Sequence, residues 1–167
     1  IGDAIINIYP YARTLAEIAI QTARVAKRFG VEPRVALLSF SNFGSSGAYR
    51  SDRIEESLEI ARELDPTLII DGPMQADTAL LPEIQEDYPF MTLGGRPANV
   101  LICPNLPSAN ISYKLLQRLG DAEMTGPILE GMAKPVHVLQ RGDAVRDVVH
   151  MAAICAVDAQ RHTRQRL

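Results

Sequence analysis

Polar and basic side chains are concentrated between residues 105 and 118, at a spacing that suits an anionic ligand. Asn105 and Ser108 offer amide and hydroxyl groups, while Lys114 and Arg118 recur at helical spacing and share one helix face. Arginine binds phosphate oxygens bidentately, and lysine adds a point charge. A solvated turn and helix surface has the same composition, so the pattern leaves open both an anion site and a surface helix.

The elements around this cluster predict how it is positioned. Residues 98–103 form a short apolar run without polar alternation, which is typical of a strand covered on both faces of a parallel sheet. Pro104 ends that strand, Ser108 is the predicted N-cap of the next helix, and Gly120 ends the helix. Ligands of open α/β sheets bind at the carboxyl ends of strands. The candidate ligand-facing residues are therefore Asn105, Ser108, Asn110, Lys114 and Arg118.

Two further polar segments follow predicted strands. The loop SNFGSSGAYRS at residues 41–51 has small residues that let backbone amides approach a phosphate. It matches neither the dinucleotide fingerprint nor the P-loop, and we favour a plain connection. Asp71 and Asp77 supply two carboxylates for acid–base chemistry, yet Asp77 also suits the first turn of a helix and Asp71 a turn. For these carboxylates we favour the structural interpretation.

Other catalytic chemistry is not indicated. His137, His150 and His162 have spacings that suit neither zinc nor a helical metal pair, so we predict no metal site. The sequence contains no G-x-S-x-G elbow, and neither Cys103 nor Cys155 has a basic partner nearby in sequence. Both cysteines lie in apolar segments, which favours free thiols in a reducing cytosol.

Composition and charge narrow the class of protein. The chain has 167 residues, 47% hydrophobic and 22% charged, with a net charge of -3. This balance gives no general attraction for nucleic acid, and the basic residues 161–167 are too few for a binding patch. No segment approaches the roughly 18 to 20 apolar residues of a membrane-spanning helix, and no leader sequence opens the chain. We therefore expect a cytoplasmic protein that binds neither nucleic acid nor membranes.

Apolar periodicity predicts strands and helices in alternation, which indicates an α/β sandwich around a mainly parallel sheet. Thr14 and Asp143 are predicted N-caps. Because Ile1 leads directly into the first predicted strand, we expect the chain to begin inside a longer polypeptide. The predicted strands are residues 4–8, 34–40, 68–70, 98–103, 126–129 and 136–139. The predicted helices, besides that after Ser108, are residues 15–29, 54–64, a short stretch from Ala76, and 143–160.

Three blocks resemble the phosphate acetyltransferase and butyryltransferase family: DGPMQADTAL (71–80), PNLPSANISYKLLQRLG (104–120) and GPILEGMAKPVHVL (126–139). The blocks occur in the family's order, and the resemblance extends over nearly all of the chain. The resemblance implies a three-layer α/β/α sandwich with a mainly parallel sheet, isopropylmalate-dehydrogenase-like as in phosphate acetyltransferases. It also implies that residues 1–167 are the C-terminal part of a longer domain.

The resemblance assigns roles to particular positions. Where the family has a catalytic serine before Arg-Gly, this chain has Gln140, whereas Arg141 matches and Asp147 falls at the family's catalytic aspartate. Arg118 aligns with an arginine that contacts coenzyme A, and Lys114 lies one turn earlier. The predicted anion-binding residues thus match the family better than the catalytic positions do. The contact set implied for acetyl-CoA or coenzyme A is Arg118, Lys114, Asn110, Arg141, Tyr113 and Asn105.

One branch of that family is most similar. SFSNFGS (39–45), MQADTAL (74–80) and PVHVLQRGDAVRDVV (135–149) resemble the C-terminal phosphotransacetylase-like domain of bacterial NADP-dependent malic enzymes. There, the resemblance implies, an upstream unit with NADP and a divalent metal decarboxylates malate oxidatively to pyruvate. The resemblance also implies that the C-terminal domain assists oligomerisation and senses acetyl-CoA as an allosteric inhibitor.

Three functions remain open from the sequence. The leading one is a regulatory acetyl-CoA-binding domain without transacetylase activity, because glutamine cannot replace a serine hydroxyl in catalysis. The second is an active phosphate acetyltransferase, and the third is a dimerisation module with a decayed pocket. We also expect a homodimer or higher homo-oligomer, formed through the helix at 15–29 or that at 143–160.

Overall fold

The computed structural model describes residues 1–45 and 52–164, with side chains described through residue 161. It contains two compact units, Ile1–Tyr113 and Lys114–Leu167. The helix Leu106–Leu119 spans the boundary between them. Residues 46–51, most of the polar loop considered as a phosphate site, lie outside the described residues.

The first unit is built on a parallel sheet of three strands in the order β2-β1-β3. These strands are β1 (Arg34–Leu38), β2 (Ile69–Met74) and β3 (Val100–Ile102). The central strand β1 pairs Val35 with Ile70 on one side and with Val100 on the other. The prediction of a parallel sheet is therefore confirmed.

One face of the sheet packs against helices α1 (Ala12–Arg28) and α2 (Asp52–Leu64). Val35 and Leu37 of β1 point into this core, because alternate residues of a strand face the same side. Ala19 of α1 is fully buried there, and its small side chain permits close packing. The amphipathic patterns predicted for both helices are confirmed, although α1 begins at Ala12 after the extended Tyr11 rather than after Thr14.

The opposite face of the sheet has its own core. Ala36 packs there with Met74 and Leu93, together with the short helix α3 (Ala76–Leu80). A further short helix, α4 (Pro82–Gln85), follows. The sheet thus lies between two covered faces, which explains the absence of polar alternation in its strands and confirms the layered α/β class.

β2 is longer than predicted and includes residues that the sequence indicated as a turn. Gly72 allows this, because its φ of +146° is unfavourable for other residues and an added Cβ would lie 2.6 Å from the Leu37 carbonyl oxygen. Next to this close approach, the register between β1 and β2 shifts between Ala36 and Leu38. Asp71 consequently lies inside the strand.

The strand predicted at residues 4–8 is wrong. Asp3 adopts a φ of 44°, and its carboxylate accepts hydrogen bonds from the backbone N–H groups of Ile6 (2.8 Å) and Asn7 (3.0 Å). These local bonds use the amides that a strand would offer to its neighbour. Gly2 makes an isolated bridge to β3 instead.

In the second unit, the end of the helix Leu106–Leu119 is followed by a segment without described helix or strand and then by a helix at Val145–Arg164. The strands predicted at 126–129 and 136–139 are therefore wrong. The backbone N–H of Leu129 donates to the His137 ring at Nδ1 (3.2 Å) rather than to a neighbouring strand. Of the described apolar side chains in this unit, only Met151 is buried.

Candidate ligand-binding site

The helix α5, Leu106–Leu119, is capped by Asn105. Asn105 Oδ1 accepts a hydrogen bond from the Ser108 backbone N–H (2.9 Å), the pattern of an N-cap side chain. Ser108, predicted to be the cap, lies inside the first turn, and its Oγ is 2.9 Å from the Asn105 carbonyl oxygen. The prediction of Ser108 as cap is wrong because Pro107 also fits the first turn of a helix, so the cap lies three residues earlier.

The first turns of α5 are joined to the segment before α1. The Leu106 backbone N–H donates to the Ile8 carbonyl (3.0 Å). Asn110 Nδ2 donates to the Ala4 carbonyl (3.2 Å). Asn105 and Asn110, both predicted to contact a ligand, thus make internal hydrogen bonds that hold this end of the helix in place.

The three other predicted residues of α5 differ in exposure. Tyr113 is buried, whereas Lys114 and Arg118 are exposed. Lys114 and Arg118 lie one turn apart, so both cationic groups project from the same helix face. The arrangement provides two positive charges toward the carboxyl-terminal end of α5.

The turn at residues 140–147 holds the remaining predicted site residues and leads into α6, Val145–Arg164. Gln140 is exposed, and its backbone N–H donates to Asp143 Oδ2 (2.6 Å). Asp147 Oδ2 accepts from the Ala144 backbone N–H (3.1 Å). Asp143 therefore closes the turn instead of capping the helix as predicted, and Asp147 makes the reciprocal bond of a capping box. Arg141 is exposed on this turn.

Asp71 has a structural environment. Its side chain is 7% exposed, and Oδ2 accepts from the Thr92 backbone N–H (2.6 Å) while Oδ1 accepts from the Gly72 backbone N–H (3.0 Å) and from Arg62 (3.3 Å). Asp77 is exposed and accepts a bond from the Thr78 backbone N–H (2.8 Å). Both carboxylates thus bind local backbone groups, which supports the structural interpretation.

Cys103 lies at the end of β3, beside the first turns of α5. Burial raises the pKa of its thiol, and side-chain hydrogen bonds with Ser108 and Ser112 act in the opposite direction. Both Cys103 and Cys155 are free thiols.

The chain is similar to known proteins over most of its length. A family model described as phosphate acetyl/butaryl transferase matches residues 1–156. The chain belongs to this family. The family's fold is also found in a crystal structure of a phosphotransacetylase from Streptococcus pyogenes, with a TM-score of 0.90 and 43% identity over 96% of this chain and 49% of that one.

Relatives of this phosphate acetyl/butaryl transferase family member carry two different names. The chain is 48% identical to an NADP-dependent malic enzyme of Escherichia coli, over 96% of the chain and 21% of that protein. It is 45% identical to a phosphate acetyltransferase of Corynebacterium glutamicum, over 95% of the chain and 48% of that protein. The chain thus spans about a fifth of the former and about half of the latter. The two identities are too similar to choose between the two roles.

Membrane-spanning helices and metal-binding clusters are both absent from the part of this family member that the structure describes. Its described helices include none long and apolar enough to cross a membrane. Within the same residues, no group of three or more His, Cys, Asp or Glu side chains is placed to hold a metal ion.

One residue that bonds to the connection before α5 was not predicted from the sequence. Arg53, in the first turn of α2, donates through Nη1 to the Pro10 carbonyl (2.5 Å) and through Nη2 to the Pro104 carbonyl (2.8 Å). Both acceptors are backbone groups far away in sequence, so no local pattern indicated the contact. Its structural role became visible only in three dimensions.

Proposed function

We propose that this chain is the acetyl-CoA-binding regulatory and oligomerisation domain of an NADP-dependent malic enzyme and has no transacetylase activity of its own. In this proposal the domain belongs to a longer protein, whose upstream unit binds NADP and a divalent metal and converts malate to pyruvate. The similarity to the Escherichia coli malic enzyme supports this assignment.

The observation that carries the proposal is Gln140. The family resemblance places a catalytic serine at this position, and a glutamine amide lacks the hydroxyl needed for acid–base or transition-state work. Asp147 lies where the family resemblance places a catalytic aspartate, and it accepts a hydrogen bond from the Ala144 backbone N–H at the start of α6. Both features suit a domain that binds the ligand without converting it.

The ligand chemistry follows from charge. Acetyl-CoA carries a 3′-phosphate and a diphosphate, which bind most strongly to groups that form charge-assisted hydrogen bonds. In the proposal Arg118, Lys114 and Arg141 supply that charge, and all three are exposed. The family resemblance adds Asn105, Asn110 and Tyr113 to the proposed acetyl-CoA contacts. The internal hydrogen bonds of the two asparagines also hold the first turns of α5.

A homodimer or higher oligomer is part of the proposal. α6 exposes apolar side chains, with Val145 at 81% and Val149 at 59%, and Leu119 at the end of α5 is 83% exposed. Exposed apolar side chains on a helix suit an interface with another chain. A second copy of the chain is the proposed partner. Sedimentation of the full-length protein at micromolar concentration is expected to show a dimer or larger species, and monomer alone would refute this part.

An active phosphate acetyltransferase is the second candidate. Its support is the similarity to the Corynebacterium glutamicum enzyme and to the Streptococcus pyogenes structure. It requires that the turn at Gln140 retain catalytic competence without a hydroxyl at that position.

The formation of acetyl phosphate from acetyl-CoA and phosphate separates these candidates. The full-length protein is assayed beside the Corynebacterium glutamicum phosphate acetyltransferase as a positive control. We expect no turnover above background from the full-length protein while calorimetry detects acetyl-CoA binding. Robust turnover would refute the regulatory proposal and establish the second candidate.

A further inference from the structure

Arg53 connects the starts of three helices. It lies in the first turn of α2, and its guanidinium donates to the carbonyls of Pro10 and Pro104. Pro10 lies just before Tyr11, the N-cap of α1, and Pro104 just before Asn105, the cap of α5. One side chain therefore joins connections at the carboxyl edge of the sheet.

The two acceptor carbonyls lie outside the hydrogen-bond ladders of their helices. In α1 the first carbonyl used by the helix is that of Tyr11, bonded by Leu15, and in α5 it is that of Asn105, bonded by Ala109. The carbonyls just before them need partners from elsewhere. A guanidinium suits this task because its N–H groups form a rigid planar fork that engages two acceptors in a fixed arrangement.

Arg53 also complements the direct bonds between α5 and the segment before α1. Leu106 and Asn110 both bond to that one segment, through the carbonyls of Ile8 and Ala4. Bonds to a single segment still allow the helix and the segment to move together. Arg53 adds a connection to α2, a helix packed on the sheet core, and so fixes both relative to the sheet.

We propose that Arg53 is a positioning residue for the ligand helix α5. The inference rests on the proposed function, in which α5 carries acetyl-CoA contacts. Arg53 acts through the Pro104 carbonyl and the first turn of α5, and it does not touch the ligand. Its loss shifts the start of α5, and small displacements of a binding group reduce ligand complementarity.

The test uses two variants of the full-length protein. Arg53→Gln removes the positive charge and the planar guanidinium, whereas Arg53→Lys keeps the charge but not the planar guanidinium. Arg34→Gln is the matched control, because Arg34 also donates to a proline carbonyl, that of Pro97 (2.7 Å), but at the other edge of the sheet. Calorimetry with acetyl-CoA at low and high salt is combined with amide hydrogen exchange of ligand-free protein.

Positioning predicts that both Arg53 variants bind acetyl-CoA about tenfold more weakly than wild type, the scale of one lost hydrogen bond to a charged group. The ratio of wild-type to variant affinity stays constant as salt rises, since no charge contact to the ligand is removed. Without ligand, amide exchange at residues 105–110 is faster in both variants. Arg34→Gln leaves both the affinity and this exchange unchanged.

Any of four results would overturn the inference. Arg53→Gln could bind with wild-type affinity, its deficit could disappear at high salt, Arg53→Lys could show no deficit, or Arg34→Gln could lose as much affinity. A deficit that disappears at high salt would indicate a direct contact with the phosphates. Absence of acetyl-CoA binding in wild type would refute the proposed function instead. The exchange measurement would then still decide whether Arg53 holds the start of α5.

Discussion

Replacing Asp71 by asparagine tests whether this buried carboxylate is structural. Each of its two oxygens accepts a backbone N–H group, with Thr92 N at 2.6 Å from Oδ2 and Gly72 N at 3.0 Å from Oδ1. An asparagine amide has one oxygen and one NH₂ group, so in either orientation its NH₂ faces a backbone donor. Either the buried bond of the Gly72 N–H or the partly buried bond of the Thr92 N–H therefore loses its acceptor.

The expected cost follows from those bonds. A hydrogen bond to a charged group contributes about 1.5–3 kcal/mol, and an orphaned buried donor costs a similar amount, with overlap between the two. We expect Asp71→Asn to lower the free energy of unfolding by about 3 kcal/mol. The Arg62 contact adds little, because the Arg62 side chain is 45% exposed and solvent screens it.

Urea denaturation followed by circular dichroism measures this change, with Asp77→Asn as the matched control. Asp77 also accepts one backbone N–H but is exposed, so its replacement is expected to cost less than about 1 kcal/mol. Acetyl-CoA affinity is expected to be unchanged in both variants. A small stability loss in Asp71→Asn, combined with lost ligand binding, would show that the structural interpretation is wrong.

Three further predictions concern the proposed site. Arg118→Ala is expected to weaken acetyl-CoA binding by about 1.5–3 kcal/mol, and wild-type affinity by calorimetry would refute its role. Gln140→Ser alone is expected to give no efficient acetyl phosphate formation, because a catalytic hydroxyl needs a positioned surrounding shell; high turnover would contradict this. Burial raises the pKa of the Cys103 thiol above its ordinary 9.0, because it disfavours the thiolate. The stability that the neutral buried thiol contributes is therefore present below pH 9 and is lost as the pH rises through the pKa of the folded state. Alkaline denaturation of Cys103→Ala should lack that loss, and an unchanged pH profile would argue against it.

The sequence predicted the class of fold because both faces of the sheet are buried. Continuous apolar runs in β1 and β3 and amphipathic helices α1 and α2 indicated a parallel sheet with covered faces. The strand, turn and helix around Pro104 were correctly predicted in order, because proline and the helical periodicity are local signals.

The errors arose where side chains replace backbone pairing. The Asp3 carboxylate accepts hydrogen bonds from backbone N–H groups of the strand predicted at residues 4–8. The His137 ring likewise accepts the Leu129 N–H, which a neighbouring strand would otherwise accept. The pattern of apolar residues alone does not reveal such hydrogen bonds from backbone to side chain. The bonds from Arg53 to distant carbonyls and the burial of Tyr113 were likewise not predictable from local patterns, since both depend on how distant segments meet.

The most direct measurement of the central claim is the rate of malate-dependent NADP reduction by the full-length protein as acetyl-CoA is added. We expect the rate to fall over the same acetyl-CoA concentrations at which calorimetry shows binding, because the ligand favours one of two conformational states. In Arg118→Ala the inhibition should move to higher concentration, while the rate without acetyl-CoA stays near wild type. A full-length protein that binds acetyl-CoA with no change in malate oxidation, or that does not oxidise malate, would contradict the account.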